Sequence, residues 1–140
     1  MIWARLLLLL LAALGLAFLL YAAPGEQPAR LPAAAPIEVV GYYTLTDDAG
    51  KVRGIVCITR RPPHDDYLFQ WFFPGVVAPA FGVGLRDGNT ISVGWRHGES
   101  VGVSRFAATL DKAEKPRLEG RWSNLAAQGV EILTWLRSLD

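Results

Sequence analysis

Short signatures that join glycine to aromatic or branched residues recur through about the last hundred residues, and they constrain the fold more than any other feature. They read Gly41-Tyr42-Tyr43, Gly82-Val83-Gly84-Leu85, Val93-Gly94-Trp95, Gly102-Val103, Leu118-Glu119-Gly120-Arg121-Trp122 and Gly129-Val130-Glu131. From Gly82 onward they recur every nine to sixteen residues, with turn-forming residues between them. This spacing is typical of a small antiparallel β-barrel.

The pattern predicts eight strands, joined mostly by short polar turns. They lie near 39–45, 51–60, 67–73, 80–86, 90–96, 101–110, 117–123 and 130–136. The segment 125–139 also fits a helix by periodicity, but Gly129 and the β-branched residues after it favour a strand. A meander of this kind removes its exposed edges by closing. We therefore expect an all-β fold, an eight-stranded antiparallel up-and-down β-barrel preceded by one N-terminal transmembrane helix.

Residues of two kinds alternate along the middle strands. Phe81, Val83 and Leu85 alternate with Gly82 and Gly84, which is the period of two of a sheet with one buried face. We interpret these glycines as points where a small barrel bends sharply; the alternative is that they let a ligand approach the backbone. With about a hundred residues, the barrel interior should be nearly filled by its own side chains.

The chain before the barrel divides into two segments. Residues 6–23 carry no charge, and as a helix they would span roughly 27 Å, close to the hydrocarbon thickness of a bilayer. We interpret residues 1–23 as an uncleaved membrane anchor, with a cleaved signal peptide as the alternative. Residues 24–38 are rich in Pro and Ala and favour an extended spacer, so that residues 39–140 form the barrel domain.

Charge indicates where the barrel lies. The N-terminal amine and Arg5 favour the cytoplasmic side, so the barrel should be exported. The formal net charge is +1 and there is no basic run, which argues against nucleic acid as a partner. Cys57 is the only cysteine, so no internal disulfide forms, and we expect it to be buried on a strand.

The order of these motifs resembles a largely uncharacterised family of small exported bacterial domains. The matching positions are Gly41 to Tyr43, Gly54 before Ile58, Trp71, Gly82 to Leu85, Val93 to Trp95, Gly102-Val103 with Phe106, Leu118 to Trp122, and Gly129 to Leu133. The resemblance covers about residues 39–136. It implies a calycin-type barrel, like those of lipocalins and avidins, in an exported bacterial domain. Together with the predicted anchor and its flanking charge, this favours a barrel in the periplasm at the bacterial inner membrane. The resemblance implies no catalytic residues.

One hairpin departs from the family's pattern. Where the family has a short polar connection, this chain has an apolar stretch from Phe72 to Phe81. It is either a lid over the barrel's own core or an exposed docking surface. We favour docking: a non-catalytic, membrane-tethered accessory subunit that binds a protein partner in or at the membrane. The proposed partner-binding residues are Phe72, Phe73, Val76, Val77 and Phe81.

The alternative function is binding of a small apolar molecule inside the barrel. Its ligand would contact Phe69, Trp71 and Trp95, although tryptophans of a barrel, including Trp122 and Trp135, are core residues by default. No cofactor is expected.

Other site chemistries find little support. A metal site is not expected, because His64 and His97 fall on loops at opposite ends of such a barrel. No nucleophile turn or phosphate-binding loop is present, so we expect no enzymatic activity. Glu119 and Glu131 are expected to face solvent or to pair with Arg121.

Overall fold

The computed structural model describes residues 34–140, which form a closed antiparallel β-barrel. Its strands are β1 (Gly41–Thr46), β2 (Val52–Arg61), β3 (Asp66–Phe72), β4 (Ala80–Asp87), β5 (Thr90–His97), β6 (Ser100–Leu110), β7 (Pro116–Asn124) and β8 (Gln128–Arg137). Each strand pairs with the next, and β1 pairs with β8 to close the barrel. The predicted all-β class, strand number and up-and-down order are confirmed. The C-terminal segment is a strand.

Two expectations lie outside the described residues. The predicted anchor, residues 1–23, and most of the predicted spacer, 24–38, fall in the segment that precedes residue 34. Residues 34–40 have no regular secondary structure and lead into β1. Within residues 34–140 there is no helix long and apolar enough to cross a bilayer.

The interior of the barrel is packed with large rings. Tyr43, Phe69 and Phe106 are fully buried, and the Phe69 ring stacks on Phe106 at 5.8 Å between centroids. Branched aliphatic residues from the same inward-facing positions fill the space between the rings; they include Val56, Ile58, Ile91, Val93, Leu118 and Leu133. Burial of this apolar area stabilises the barrel at about 25 cal/mol per Å².

The buried face of β4 is the glycine face, not the apolar one. Gly82 and Gly84 point inward, whereas Phe81, Val83 and Leu85 are exposed on the outer surface. The interior rings explain this orientation. A Cβ on Gly84 would lie 2.9 Å from the Phe69 ring, and a Cβ on Gly82 would lie 3.0 Å from the Trp71 ring. The glycines therefore make room for aromatic side chains of β3. This steric requirement explains the two glycines more directly than bending of the strand does.

The segment before β1 seals one end of the barrel. Val39 is fully buried, and the Tyr43 hydroxyl donates a 2.8 Å hydrogen bond to its carbonyl oxygen. The backbone N–H of Ile37 donates to Asn89 Oδ1 at 2.9 Å, which ties the segment to the β4–β5 turn. We call this the sealed end. Because successive strands run in opposite directions, the β1–β2, β3–β4, β5–β6 and β7–β8 loops all lie at the other end, which we call the open end.

Candidate functional site

A cavity of about 870 Å³ occupies the open end of the barrel and connects with solvent. Four aromatic side chains, those of Trp71, Phe73, Trp95 and Trp122, line it together with polar and charged residues such as Asp48 and Arg121. The expectation of a nearly filled interior is therefore wrong at this end. A volume of this size is within the range of small-molecule sites, which are typically apolar clefts with few polar groups.

Cross-strand pairs of tryptophan and glycine keep the cavity open. Trp95 on β5 lies opposite Gly102 on β6, and Trp122 on β7 lies opposite Gly129 on β8. The Trp95 ring occupies the space that a Cβ on Gly102 would need, and Trp122 Nε1 lies 2.7 Å from the corresponding position at Gly129. Each indole ring therefore covers the barrel wall at the glycine opposite it, and the lumen between the two rings stays unfilled.

The structure brings together two of the three predicted ligand-binding residues. Trp71 and Trp95 line the cavity. Phe69 does not line it: this residue is fully buried, one inward-facing position further from the open end, and it stacks beneath Trp71 at 5.5 Å. Trp122 also belongs to the wall, at 6.3 Å from Trp95 between ring centroids. Trp135 packs edge-on against Tyr43 instead.

Glu131 points into the barrel, which corrects the expectation that it faces solvent or pairs with Arg121. Its cross-strand partner on β7 is Gly120, and its carboxyl group lies near the Ser104 hydroxyl on β6. Glu131 lines the cavity, and its Oε2 atom is buried. Glu119, by contrast, is exposed and its carboxylate accepts a 2.8 Å hydrogen bond from Arg117.

The surroundings of Glu131 change its acidity. Burial raises the pKa of its carboxyl from 4.5 to about 7, and the nearby Ser104 hydroxyl offsets part of that rise. The two groups nevertheless fall short of hydrogen-bond geometry, and neither Glu131 Oε2 nor Ser104 Oγ has another partner within residues 34–140. A carboxyl group in such an environment changes its charge near neutral pH.

The apolar hairpin between β3 and β4 lies beside the mouth of the cavity. Phe73 turns inward, lines the cavity and packs on the His97 ring at 5.5 Å. His97 Nε2 lies 3.2 Å from the carbonyl oxygen of Ala78, which connects the hairpin to the β5–β6 loop. At the hairpin tip Val77 is fully exposed and Val76 is 46% exposed. The hairpin therefore has an inner side that contributes to the cavity and an outer side that exposes apolar side chains to solvent.

The other two proposed docking residues lie on the outer surface of the barrel. Phe72 ends β3 and is 44% exposed, and Phe81 near the start of β4 is 45% exposed. Phe81 continues into an exposed apolar patch that includes Val83, Val101 and Val103 on β4 and β6. The five residues proposed for docking thus divide between the cavity wall and the outer surface.

The remaining polar candidates lie apart from one another. His64 lies in the β2–β3 loop at the sealed end, whereas His97 ends β5 at the open end, as the up-and-down order requires. Residues 34–140 contain no group of three or more His, Cys, Asp or Glu side chains placed to hold a metal ion. Cys57 is buried, and burial raises the pKa of its thiol.

Comparison of the chain with family models, with curated proteins and with solved structures gives no match. Three observations describe the site. The cavity lies at one end of the barrel, four aromatic side chains line it, and the Glu131 carboxyl group, with one buried oxygen that has no partner within residues 34–140, contributes to its wall.

Proposed function

We propose that the barrel binds a small, largely apolar ligand in the cavity at its open end. The observation that carries this proposal is a cavity of about 870 Å³ whose walls include three indole rings and one phenyl ring. A domain of this size ordinarily fills its interior with side chains, because voids lose dispersion contacts and destabilise the fold. A lumen kept open by paired tryptophans and glycines is better explained by an occupant.

The asymmetry of the two ends supports the same proposal. Val39 and the residues around it close the sealed end, so exchange with solvent takes place at the open end. The β3–β4 hairpin borders this entrance through Phe73 and Pro74. Binding there would bury ligand surface against rigid strands, which lowers the entropic cost of association.

Loss of the Trp95 ring from the cavity wall should weaken binding of a neutral aromatic probe. We expect indole to bind the full chain, held in lipid nanodiscs, at one saturable site, and Trp95→Leu to weaken its affinity about tenfold by removing ring contacts worth over 1 kcal/mol. The matched control is Trp135→Leu, which alters a tryptophan outside the cavity and should leave affinity within about twofold. Calorimetric titration measures the affinity of both variants, after the heat of titration into empty nanodiscs has been subtracted. Absence of saturable binding, or equal weakening by both variants, contradicts the proposal.

A second candidate function rests on the outer surface. The exposed side chains of Phe72, Val76, Val77 and Phe81 form an apolar area where barrel surfaces and loops are normally polar. We propose on this basis a non-catalytic accessory subunit, tethered to the bacterial inner membrane with the barrel in the periplasm, that contacts a membrane-associated protein through these residues. Ligand binding and docking use different sides of the hairpin and are compatible.

The docking function predicts a loss of partner without a loss of fold. We expect the double variant Val76→Asp, Val77→Asp to abolish stoichiometric co-purification of a membrane protein, because two desolvated carboxylates would oppose burial in the interface. Its free energy of unfolding should change by less than about 0.5 kcal/mol, since both side chains are exposed. Leu125→Asp is the control: Leu125 is fully exposed in the β7–β8 loop at the same end and should retain the partner. Retention by the double variant, or unfolding of the barrel, rejects docking.

A further inference from the structure

The cavity contains polar groups whose hydrogen-bonding capacity is not met by the protein. Three buried polar side-chain atoms have no partner within residues 34–140: Trp71 Nε1, Ser104 Oγ and Glu131 Oε2. Trp71 and Glu131 line the cavity, and Trp71 is only 3% exposed. Buried polar groups in folded proteins are nearly always paired with protein or with ordered water, so unpaired ones beside a cavity are groups that either water or a polar ligand satisfies. Glu131 alone among the three residues can carry a charge.

The charged neighbours of the cavity do not neutralise Glu131. On the β1–β2 side, Arg53 is already paired with Asp47 at 2.9 Å, and Asp48 adds a negative charge. On β7, Arg121 is exposed on the outward-facing side of the strand, although it reaches the cavity rim.

Two further titratable groups lie on the surrounding strands. His97 across the mouth lies 3.2 Å from the Ala78 carbonyl oxygen, and Glu119 on β7 pairs with Arg117 on the outer surface. No charged side chain of residues 34–140 contributes to the shifted pKa of Glu131.

The walls of the cavity favour a positive occupant. Trp95 and Trp122 present indole rings on adjoining parts of the wall, with Phe73 and Trp71 beside them. The face of an aromatic ring attracts cations through its quadrupole, and tryptophan does so most strongly. A carboxylate combined with several aromatic rings is complementary to an organic cation that has an apolar body. An anion would meet repulsion from Glu131 and from the ring faces.

We propose that the cavity selects small ligands carrying an ammonium group, with the Glu131 carboxylate as its counter-charge and the rings of Trp95 and Trp122 against its apolar body. This inference rests on the proposed ligand-binding function and specifies its ligand class. The ammonium N–H groups donate to the Glu131 carboxylate, which lines the cavity.

Three probes that share a phenethyl group and differ in charge test this selectivity. They are phenethylamine, phenethyl alcohol and hydrocinnamate, titrated calorimetrically into the full chain in lipid nanodiscs. Phenethylamine should bind at least about tenfold more tightly than the alcohol at pH near 8, and hydrocinnamate should bind most weakly. The affinity for phenethylamine should rise about tenfold between about pH 6 and 8, because Glu131 ionises in that interval while the amine stays protonated.

A matched pair of variants assigns the selectivity to one carboxyl group. Glu131→Gln keeps the shape of the side chain and should remove both the preference for phenethylamine and its pH dependence, while binding of the alcohol persists. Glu119→Gln, a change on the outer face of the neighbouring strand, should leave all three affinities unchanged.

Each contrary outcome has its own meaning. Equal affinities for amine and alcohol that are insensitive to Glu131→Gln overturn the inference and leave ligand binding standing. Tighter binding of hydrocinnamate or of the alcohol at low pH also overturns it, because Glu131 would then act as a protonated donor. If indole binds but none of the three probes does, the ammonium preference is rejected. If indole also fails to bind, the proposed function itself fails.

Discussion

Replacing Glu131 by Gln is expected to stabilise the barrel at alkaline pH and to leave it nearly unchanged in acid. The pKa of Glu131 is raised from 4.5 to about 7 in the folded state, chiefly by burial. Between these two values the folded protein binds more protons than the unfolded chain, so wild-type stability falls as pH rises. At 1.36 kcal/mol per pH unit, the loss reaches about 3 kcal/mol above the folded-state pKa.

Denaturant titrations at about pH 4 and about pH 8 measure this effect as the difference between wild type and Glu131→Gln. The variant should be more stable by about 3 kcal/mol at the higher pH and about equal at the lower pH. Titration of the other carboxyl groups cancels, because both proteins share them. A difference that is the same at both pH values would show that Glu131 titrates like a solvated carboxyl group. Glu119→Gln should show no comparable change with pH.

The second large effect is expected at Gly120. Its inward-facing position lies between Phe106 and Glu131 on the neighbouring strands. A Cβ there would lie 2.5 Å from the carbonyl oxygen of Arg105 and 2.6 Å from the Phe106 ring. The backbone contact cannot relax by a rotamer change, so Gly120→Ala should destabilise the barrel by about 3 kcal/mol. Unfolding by denaturant measures the change in free energy.

Gly94→Ala is the matched control for this variant. Gly94 also lies within a strand, but a Cβ at this position meets no atom within 4 Å. Alanine lowers the conformational entropy of the unfolded chain relative to glycine, so this substitution should stabilise the protein by about 0.5 kcal/mol. Equal destabilisation by both substitutions would mean that the cost comes from strand glycines in general, and not from the contact at Gly120.

The fold could be predicted from the sequence because its signals are local. Alternation within strands and turn formers between them determine the number and order of strands, and each is readable within about ten residues. The same locality explains why β8 was harder to assign. Both faces of residues 128–137 carry apolar side chains, so periodicity alone did not separate a strand from a helix.

The site could be predicted only in part, because it depends on partners across the sheet. The sequence predicts Trp71 and Trp95 as ligand-binding residues. Whether their rings fill the lumen, however, depends on which neighbouring strand has a glycine beside each ring. Glu131 lies on a strand with apolar residues on both faces, so nothing in its neighbourhood indicated that it points inward. The alternation Gly129, Glu131, Leu133 is a usable signal once Leu133 is known to be core.

The orientation of β4 has the same origin. Its more apolar face is the outer one, since the interior at Gly82 and Gly84 is already occupied by rings of β3. The docking role of Phe72, Val76, Val77 and Phe81 stays a prediction. The anchor and spacer lie outside the described residues, and their role also stays a prediction.

The pairing of β1 with β8 has a consequence for how the molecule is made. Thr44 on the first strand pairs with Thr134 on the last, so the seam joins residues some ninety positions apart. The chain loses conformational entropy when a loop of that length closes, before the contacts between β1 and β8 contribute any stabilisation. This order slows formation of the native topology. During synthesis, which proceeds from the N-terminus, the chain can form successive hairpins as their strands become available. It nevertheless exposes two unpaired strand edges until the last strand has been made. Protection from intermolecular strand pairing is therefore gained only at the last step of folding.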